Sequence, residues 1–402
     1  MCDKTEIDIE VEALPANEGD CILVTIIKDD IHILIDGGTA ETYRNYLRDC
    51  LLRMKDEGKA IDLLIVTHID NDHIGGIIEL IKENGTSSES KIVAIKNIWY
   101  NSYRHLQFEK NSTTGRLEKR ILNRIIANGE VCFNCNTDIN SPISAMQGST
   151  LAGLLYCGKY NWNRQFNEQA VIYTGDKYHI SNDCAISVLK PKLDDLDKLG
   201  KLWERELKKS KFSFEFSDDE IFDDAFEYYY RCMSPERTGY NEKISYEECK
   251  KEEMTIDRLA KKLVNRDSSI TNKSSISIII EYRDKKLLFL ADNMAADTSE
   301  DLSLEDSWYS LIKLPHHGSA SNISDNFIES IDSDKYLIST NSQRYNHPDI
   351  ETLAKIACKR TKYVKKVYFN YMIKKVIDFQ NKINGMDDIE FVYLGEERKI
   401  YL

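Results

Sequence analysis

"VTHIDNDHIGG", Val66 to Gly76, is the stretch on which the reading of this chain turns. The protein has eight histidines in 402 residues, and two of them stand here with two aspartates in the order His68, Asp70, Asp72, His73. The run that leads into it, "IDLLIVT" (Ile61–Thr67), has an apolar centre, Leu63–Val66, and is of strand length. Side chains that follow such a strand emerge at its C-terminal edge, where layered α/β folds place their sites. Imidazole and carboxylate are ligand types for zinc, manganese and iron. Packed together against a strand end they are costly to bury unpaired, and a divalent cation removes that cost. Gly75 and Gly76 are expected to let the backbone turn tightly after the ligands.

Outward from this loop the pattern is strand, helix, strand, helix. In "EIDIEVEAL" apolar Ile7, Ile9, Val11 and Ala13 alternate with acids, the period of a half-buried strand. "CILVTII" and "IHILIDGG" follow as strands across the turn-like "KDD". "ETYRNYLRDCLLRMKDEG" has helical spacing and stops at Gly58, and "IGGIIELIKENG" is a second helix. Such alternation predicts a layered α/β domain. "GRLEKRILNRIIANG" and "SAMQGSTLAGLLYCG" read as helices, and "QAVIYT" and "CAISVLKP" as strands. Residues 193–270 read as a helical, acidic, Tyr-rich insertion within one domain spanning 1–402. Strands resume at "SSISIIIEY", "KKLLFLAD", "SLIKLPHHGS" and "KYLIST". A helix from about Ile350 and strands at "KKVYFN" and "DIEFVYLG" complete the chain.

Two of the later strands end as the first did. "LLFLADN" (Leu287–Asn293) delivers Asp292 to a loop, and "IKLPHHGS" (Ile312–Ser319) delivers His316 and His317. One of the adjacent histidines can face a metal while the other faces elsewhere. His317 is preferred, with His316 as the alternative.

Taken in order, "NEGDCILVTI", "ILIDGG", "THIDNDHIGG", "LLFLADN" and "LPHHGS" resemble the metallo-β-lactamase superfamily of metal hydrolases. The aspartate at 70, the Pro-His-His-Gly-Ser run and the late "YNHPD" look most like the hydrolase domain of ComEC-type DNA-uptake proteins and their stand-alone soluble relatives. The motifs run from about Glu6 to Asp349. The resemblance implies an αββα sandwich with one or two divalent ions at one edge of the paired sheets. It would give His68 and Asp70 to one ion, and Asp72, His73 and His317 to a second, with Asp292 bridging. Asp36 would support the ligands from behind, and Gly19 and Asp20 match an early turn. The superfamily's third histidine has no counterpart: the corresponding stretch is "ITNKSSISIII", with Asn272 and Ser275 near the expected place. The first ion is then weakly held or missing. The extra carboxylate makes the site harder and favours manganese over zinc.

Such an ion lowers the pKa of bound water and polarises the group under attack. Asp72 is a candidate to orient or deprotonate that water. Ser319 and the amides after His317 are candidates to bind a phosphoryl oxygen. Asn346 and His347 could sit beside the leaving group. The expected activity is that of a metal-dependent phosphodiesterase or nuclease on DNA or RNA. Cleavage of a small ester, thioester or lactam is the alternative, and a partner-regulated module of a bacterial defence system is another. A redox role like that of flavodiiron proteins fits less well, because that branch carries Glu at position 70 and an attached flavin-binding domain.

Composition sets bounds. Hydrophobic residues make 42 % and charged residues 30 % of the chain, ordinary for a globular protein with a sizeable core. The net charge of −13 argues against nonspecific coating of duplex nucleic acid. Two basic stretches, Lys91–Arg124 and Lys355–Lys382, offer a local hold on a phosphate backbone, the second with interleaved aromatics in "KYVKKVYFNY". The acidic segment Glu215–Asp257, with "EYYYR", could dock a protein partner. No apolar run approaches the roughly 20 residues that cross a bilayer, and the N-terminus reads as neither signal nor transit peptide, so a cytoplasmic location with no membrane partner is expected. Ten cysteines without framework spacing fit reduced thiols. Cys132 and Cys135 form one CxxC, for which Cys157, Cys184 or His179 would have to complete a zinc site.

Overall fold

The computed structural model describes residues 7–102, 105, 151–209, 255–295 and 308–402. The first part supplies β1 (Ile9–Ala13), β2 (Ile22–Ile26), β3 (Ile31–Ile35), β4 (Ala60–Ile61), β5 (Leu63–Val66), β6 (Ala94–Ile95) and β7 (Ile98–Tyr100). The second supplies β8 (Lys177–His179), β9 (Cys184–Lys190), β10 (Ser277–Tyr282), β11 (Lys285–Phe289), β12 (Leu311–Lys313), β13 (Lys335–Ile338), β14 (Lys365–Phe369), β15 (Ile389–Tyr393) and β16 (Lys399–Tyr401). They form two large sheets. One has the order β16-β1-β2-β3-β5-β7 and the other β15-β14-β13-β12-β11-β10-β9-β8, while β4 and β6 pair on their own.

Strand period explains the layering. In β3, Ile33 and Ile35 point into the core between the sheets, and Leu34 points to the outer helical layer. In β5, Leu63 and Ile65 point inward, and Leu64 and Val66 outward. Both faces of these strands are covered, which is why "LLIV" has no polar alternation. The second sheet mirrors this. Ile278, Ile280, Leu287, Phe289, Leu311 and Leu337 meet the first sheet, whereas Leu288, Ile312, Tyr336 and Ile338 meet helices Asp325–Ser330, Ile350–Cys358 and Lys374–Lys382. Each fully buried aliphatic side chain contributes about 1.5–3 kcal/mol, so a one-residue slip in register would be strongly unfavourable. The result is helix, sheet, sheet, helix: the αββα sandwich of the metallo-β-lactamase fold.

Each sheet has a parallel half, β3-β5-β7 in one and β11-β12-β13-β14-β15 in the other. The C-terminal ends of β3, β5, β11, β12 and β13 release Asp36, His68, Asp292, His316/His317 and Ser339 respectively. The amide of Ile276 donates to the carbonyl of Thr67 (2.9 Å), tying the loop after β5 to the start of β10.

Several expectations differ from the structure. The helix after the His68 loop starts at Asn71, not at Ile74, because the Asp70 carbonyl accepts from His73 and Ile74 (2.9 and 3.0 Å). Asp72 and His73 are therefore in its first turn. Gly75 and Gly76 lie inside that helix and make no turn. Gly76 is needed for close approach: a Cβ there would lie 1.9 Å from the carbonyl oxygen of Gly37. "QAVIYT" is not a strand, because Val171 exchanges both backbone groups with the Asn101 side-chain amide instead of a neighbouring strand (2.8 Å each).

Part of the second basic stretch is committed to the fold. Lys355 pairs with Asp325 (2.6 Å), Lys359 with Asp332 (2.9 Å), and fully buried Lys365 with Asp388 (3.0 Å). Tyr363 donates to Asp332 and Tyr371 accepts from the Asn17 amide (2.9 Å each). Most of Lys91–Arg124, the Cys132–Cys135 pair and the acidic segment with "EYYYR" lie outside the described residues. Of the 193–270 stretch, helices Leu193–Lys209 and Ile256–Ala260 are described, and Leu196 and Leu199 join the outer core of the first sheet. Among the described residues no helix is long and apolar enough to cross a membrane.

Candidate metal centre

Four histidines and three aspartates meet at one edge of the sandwich. Asp292 is the hub, and it is buried. Its Oδ2 lies 3.9 Å from His68 Nε2, 3.6 Å from His73 Nε2 and 3.8 Å from His316 Nε2. Its Oδ1 lies 3.6 Å from His317 Nε2. Asp70 Oδ2 is 3.7 Å from His68 Nε2, and Asp72 Oδ2 is 3.9 Å from His73 Nε2. These separations are long for hydrogen bonds. They are near the about 3.4 Å that separates two donor atoms each roughly 2.1 Å from a shared tetrahedral ion.

Each imidazole is held at Nδ1 by the fold. His73 Nδ1 meets Asp36 Oδ2 (2.8 Å), and His317 Nδ1 meets the carbonyl of Ser339 (2.8 Å). Both partners only accept, so Nδ1 carries the proton. Thr67 Oγ1 donates to Asp36 Oδ2 (2.6 Å), so it can accept from His68 Nδ1 (3.0 Å). His316 Nδ1 faces Asn322 Oδ1 (2.9 Å). In the neutral state every Nε2 therefore presents a bare lone pair towards Asp292. Nε2 of His68, His73 and His317, and Oδ1 of Asp292, are buried without a hydrogen-bond partner. Such an array is repulsive on its own and fits a divalent cation.

The titration behaviour follows from the same crowding. Burial, then the charge of His73, pushes His68 well below its usual range. Burial opposes protonation of His73, but Asp292 and Asp36 outweigh it and hold His73 well above its usual range. Burial likewise works against the Asp292 carboxylate, which the surrounding histidines hold well below the ordinary value. Burial and the neighbouring Asp72 charge push Asp70 up to about 7.

Asp36 stands behind the ligands, accepting from the Thr67 amide (2.7 Å), Thr67 Oγ1 and His73 Nδ1. Asn272 does not reach Asp292. Its amide donates to Asp267 Oδ2 (2.7 Å) and lies 3.4 Å from His316 Nδ1, so it stands behind that histidine. Ser319 is buried, and its amide donates to the His316 carbonyl (2.9 Å). The Ala320 amide donates to Asp349 Oδ2 (2.8 Å). Those two amides are thus already engaged and cannot serve a phosphoryl oxygen as expected. His347 lies at the mouth, its ring 5.3 Å from that of His316 and its Nδ1 3.7 Å from Asp349 Oδ1.

Residues 14–125 match the metallo-beta-lactamase superfamily. What that match supports is metal-dependent hydrolysis in general, and the buried donors described above suit it. No curated protein matches the chain. Among solved structures the chain is similar to a variant of the CmlA beta-hydroxylase, at 10 % identity and a TM-score of 0.32, over 98 % of this chain and 53 % of that one. The chain thus spans about half the length of that structure, and so distant a likeness carries nothing about the reaction.

Sequence reasoning missed several participants, the Ser339 carbonyl behind His317 among them. Lys313, almost fully buried, forms an ion pair with Asp20, whose other oxygen lies 3.7 Å from His317 Nδ1. Thr67, Asn322 and Asp267 orient the imidazoles. Only Lys313 carried a signal, as a charge inside the apolar strand "LIKL".

Proposed function

We propose that the chain is a metal-dependent phosphodiesterase acting on DNA or RNA. The observation that carries this reading is the rim beside the metal loop. Tyr345 is 51 % exposed, its ring lies nearly parallel to His347 at 6.3 Å, and Arg344 stands over it at 5.1 Å. The Tyr345 hydroxyl is close enough to feel the charges of Asp72 and Asp70. A cation and a half-exposed aromatic ring beside a metal cage suit a nucleotide: the ring would take a base and the guanidinium a phosphate. The likeness of the Pro-His-His-Gly-Ser run and Asp70 to ComEC-type hydrolase domains supports the same substrate class.

Divalent ions bound here would supply an activated water and neutralise charge on a phosphoryl group. His68, Asp70, Asp72, His73, Asp292 and His317 are the residues to hold them. The three carboxylates make a hard donor set, which favours manganese over zinc. Asp72, whose side chain is 22 % exposed, is the candidate to orient the attacking water. His347, whose pKa burial lowers, is the candidate to stand beside the leaving group.

The test is degradation of single- and double-stranded polynucleotide by purified protein with added manganese. His68→Ala and Asp72→Ala should be inactive, and Tyr345→Ala should raise KM about tenfold, the loss of one stacked base. Robust cleavage of a lactam or thioester with no action on polynucleotide would overturn the assignment.

A further inference from the structure

We propose that a crevice at the end of the sandwich opposite the metal centre is a second binding site, and that it takes a single nucleobase carried on a mononucleotide. It does not rest on the nuclease reading. The crevice encloses about 270 Å³ where the starts of β5 and β7 in one sheet face β8 in the other. β5 runs away from it towards the metal loop. From Leu63 to His68 the chain is extended, and at about 3.3 Å per residue that puts roughly 16 Å between the crevice and the metal donors. A ligand held here does not touch an ion held there. Two observations carry the proposal.

The first is shape. Side chains normally interdigitate to fill the space between packed sheets. Here one of the largest is locked away from the gap. Trp99 is 1 % exposed and meets Phe166 and Tyr178 edge to face, with ring centroids 5.2 and 5.3 Å away. Its Nε1 donates to Gln165 Oε1 (3.1 Å), so the indole cannot swing to close the crevice. The volume left is several times that of one water and lies near the lower end of small-ligand pockets. Leu63, Trp99 and Ile180 give it apolar walls, which suit the flat faces of an aromatic ring.

The second is a set of polar groups whose free ends are fixed. Gln165 and Asn97 both line the crevice. Trp99 occupies the Gln165 oxygen, so the free end of that carboxamide is its NH₂, a donor. Asn97 Nδ2 donates to the Asp62 carbonyl (3.2 Å), so its free end is Oδ1, an acceptor. Neither free end has a partner among the described residues. A donor and an acceptor of fixed identity thus line one cavity, and a base edge carries an acceptor beside a donor, which Asn and Gln carboxamides read. The charge is arranged to match. Lys96 Nζ, on a side chain 60 % exposed, pairs with Asp62 Oδ1 (2.6 Å), and Asp62 Oδ2 accepts from the His32 amide (2.8 Å). The carboxylate is neutralised, while the ammonium keeps donors for a phosphate. Exposed His179 lines the same crevice, also without a partner among the described residues.

The experiment is calorimetric titration of the metal-free full-length protein with AMP, GMP, CMP and UMP, and with ribose 5-phosphate as the baseless control. Circular dichroism establishes that each variant is folded. At least one mononucleotide should bind one to one, and ribose 5-phosphate should not bind. Ile180→Trp, which fills the crevice, and Gln165→Leu, which removes the donor, should each weaken binding about tenfold or more, the worth of one hydrogen bond. Lys96→Gln should weaken the nucleotide and leave its parent nucleoside unchanged. No binding of any of the four at millimolar concentration would overturn the proposal, as would ribose 5-phosphate binding equally well. Binding that Tyr345→Ala weakens and Ile180→Trp does not would place the nucleotide at the metal rim and overturn it too. A wild type whose nucleotide binding is lost in Ile180→Trp, but which cleaves no polynucleotide, would support this site and remove the nuclease reading instead.

Discussion

At the scale of single residues, the centre works by fixing tautomers. Asp36 is fully buried, and burial raises its pKa, against which the bonds from His73 and Thr67 act. It receives one hydrogen bond on Oδ1 and two on Oδ2, so both oxygens are acceptors only. Asp36→Asn turns one of those acceptors into a donor. Either the Thr67 amide or His73 Nδ1 then faces an N–H, and the His73 ring loses its orientation. Metal affinity should fall about 10- to 100-fold, the usual effect of losing an outer partner, as measured by chelator competition. Asp36 was legible only through the likeness of "IDGG" to a superfamily motif. Asp267 was not: in "NRDSS" it looks like an ordinary turn carboxylate, and it gains its meaning only when β12 brings His316 to it. The neutral partners Thr67, Ser339 and Asn322 have no signature either. A hydroxyl, a carbonyl or an amide orients a ring only once the fold has placed it there.

At the scale of elements, the sheets hold the loops while close backbone contacts hold the first helix. The helix Asn71–Asn84 approaches the β1–β2 turn and the Gly37–Gly38 segment so tightly that only glycine fits. A Cβ at Gly19 would lie 1.7 Å from the carbonyl oxygen of Asp72, and one at Gly76 would meet Gly37 at 1.9 Å. Both groups are backbone and cannot yield. Gly19→Ala and Gly76→Ala should each destabilise by about 1–3 kcal/mol, as overpacking does, and displace Asp72 and His73. Thermal melts and metal uptake check the two effects separately. The opposite end of the same helix is clipped to the helix before it. Glu83 accepts from Tyr43 (2.6 Å) and from Arg48 (2.6 Å), and the Arg48 bonds, helped by Tyr43 and opposed by burial, hold its pKa below the ordinary value. A carboxyl whose folded pKa is depressed stabilises above its unfolded pKa and loses that contribution as pH falls through the folded one. Glu83→Gln should therefore lower Tm at pH 7, with the gap to wild type closing below about pH 4. The strands were readable because alternation, or its absence in β5, follows directly from which faces are covered. The start of the metal-loop helix was not, since its first turn is set by the Asp70 carbonyl rather than by a capping side chain.

At the scale of the whole molecule, two sheets that are distant in sequence each bring half of a charged cage to one edge. The first sheet brings Asp36, His68, Asp70, Asp72 and His73. The second brings Asp292, His316 and His317, some 220 residues later by the numbering. That the halves meet was expected from the strand-end pattern, because parallel strands of a sandwich release their loops on the same side. The distribution of positive charge was less readable. The 355–382 stretch was expected to offer a hold on a phosphate backbone, yet its Lys355, Lys359 and Lys365 tie helices and loops to the second sheet. The cage also couples metal binding to folding. An unfolded chain does not assemble these donors, so an ion that binds the native state stabilises it by RT ln(1 + [L]/Kd), about 2.7 kcal/mol at a hundredfold excess over Kd. For a chain of this size that corresponds to a rise in Tm of a few degrees. Manganese added to metal-free protein should produce that rise, saturating with concentration, in scanning calorimetry. His73→Ala and Asp292→Asn each remove a central donor, one from each half of the cage, and should abolish it. An unchanged Tm at millimolar manganese in the wild type would mean that the convergent lone pairs around Asp292 do not hold an ion.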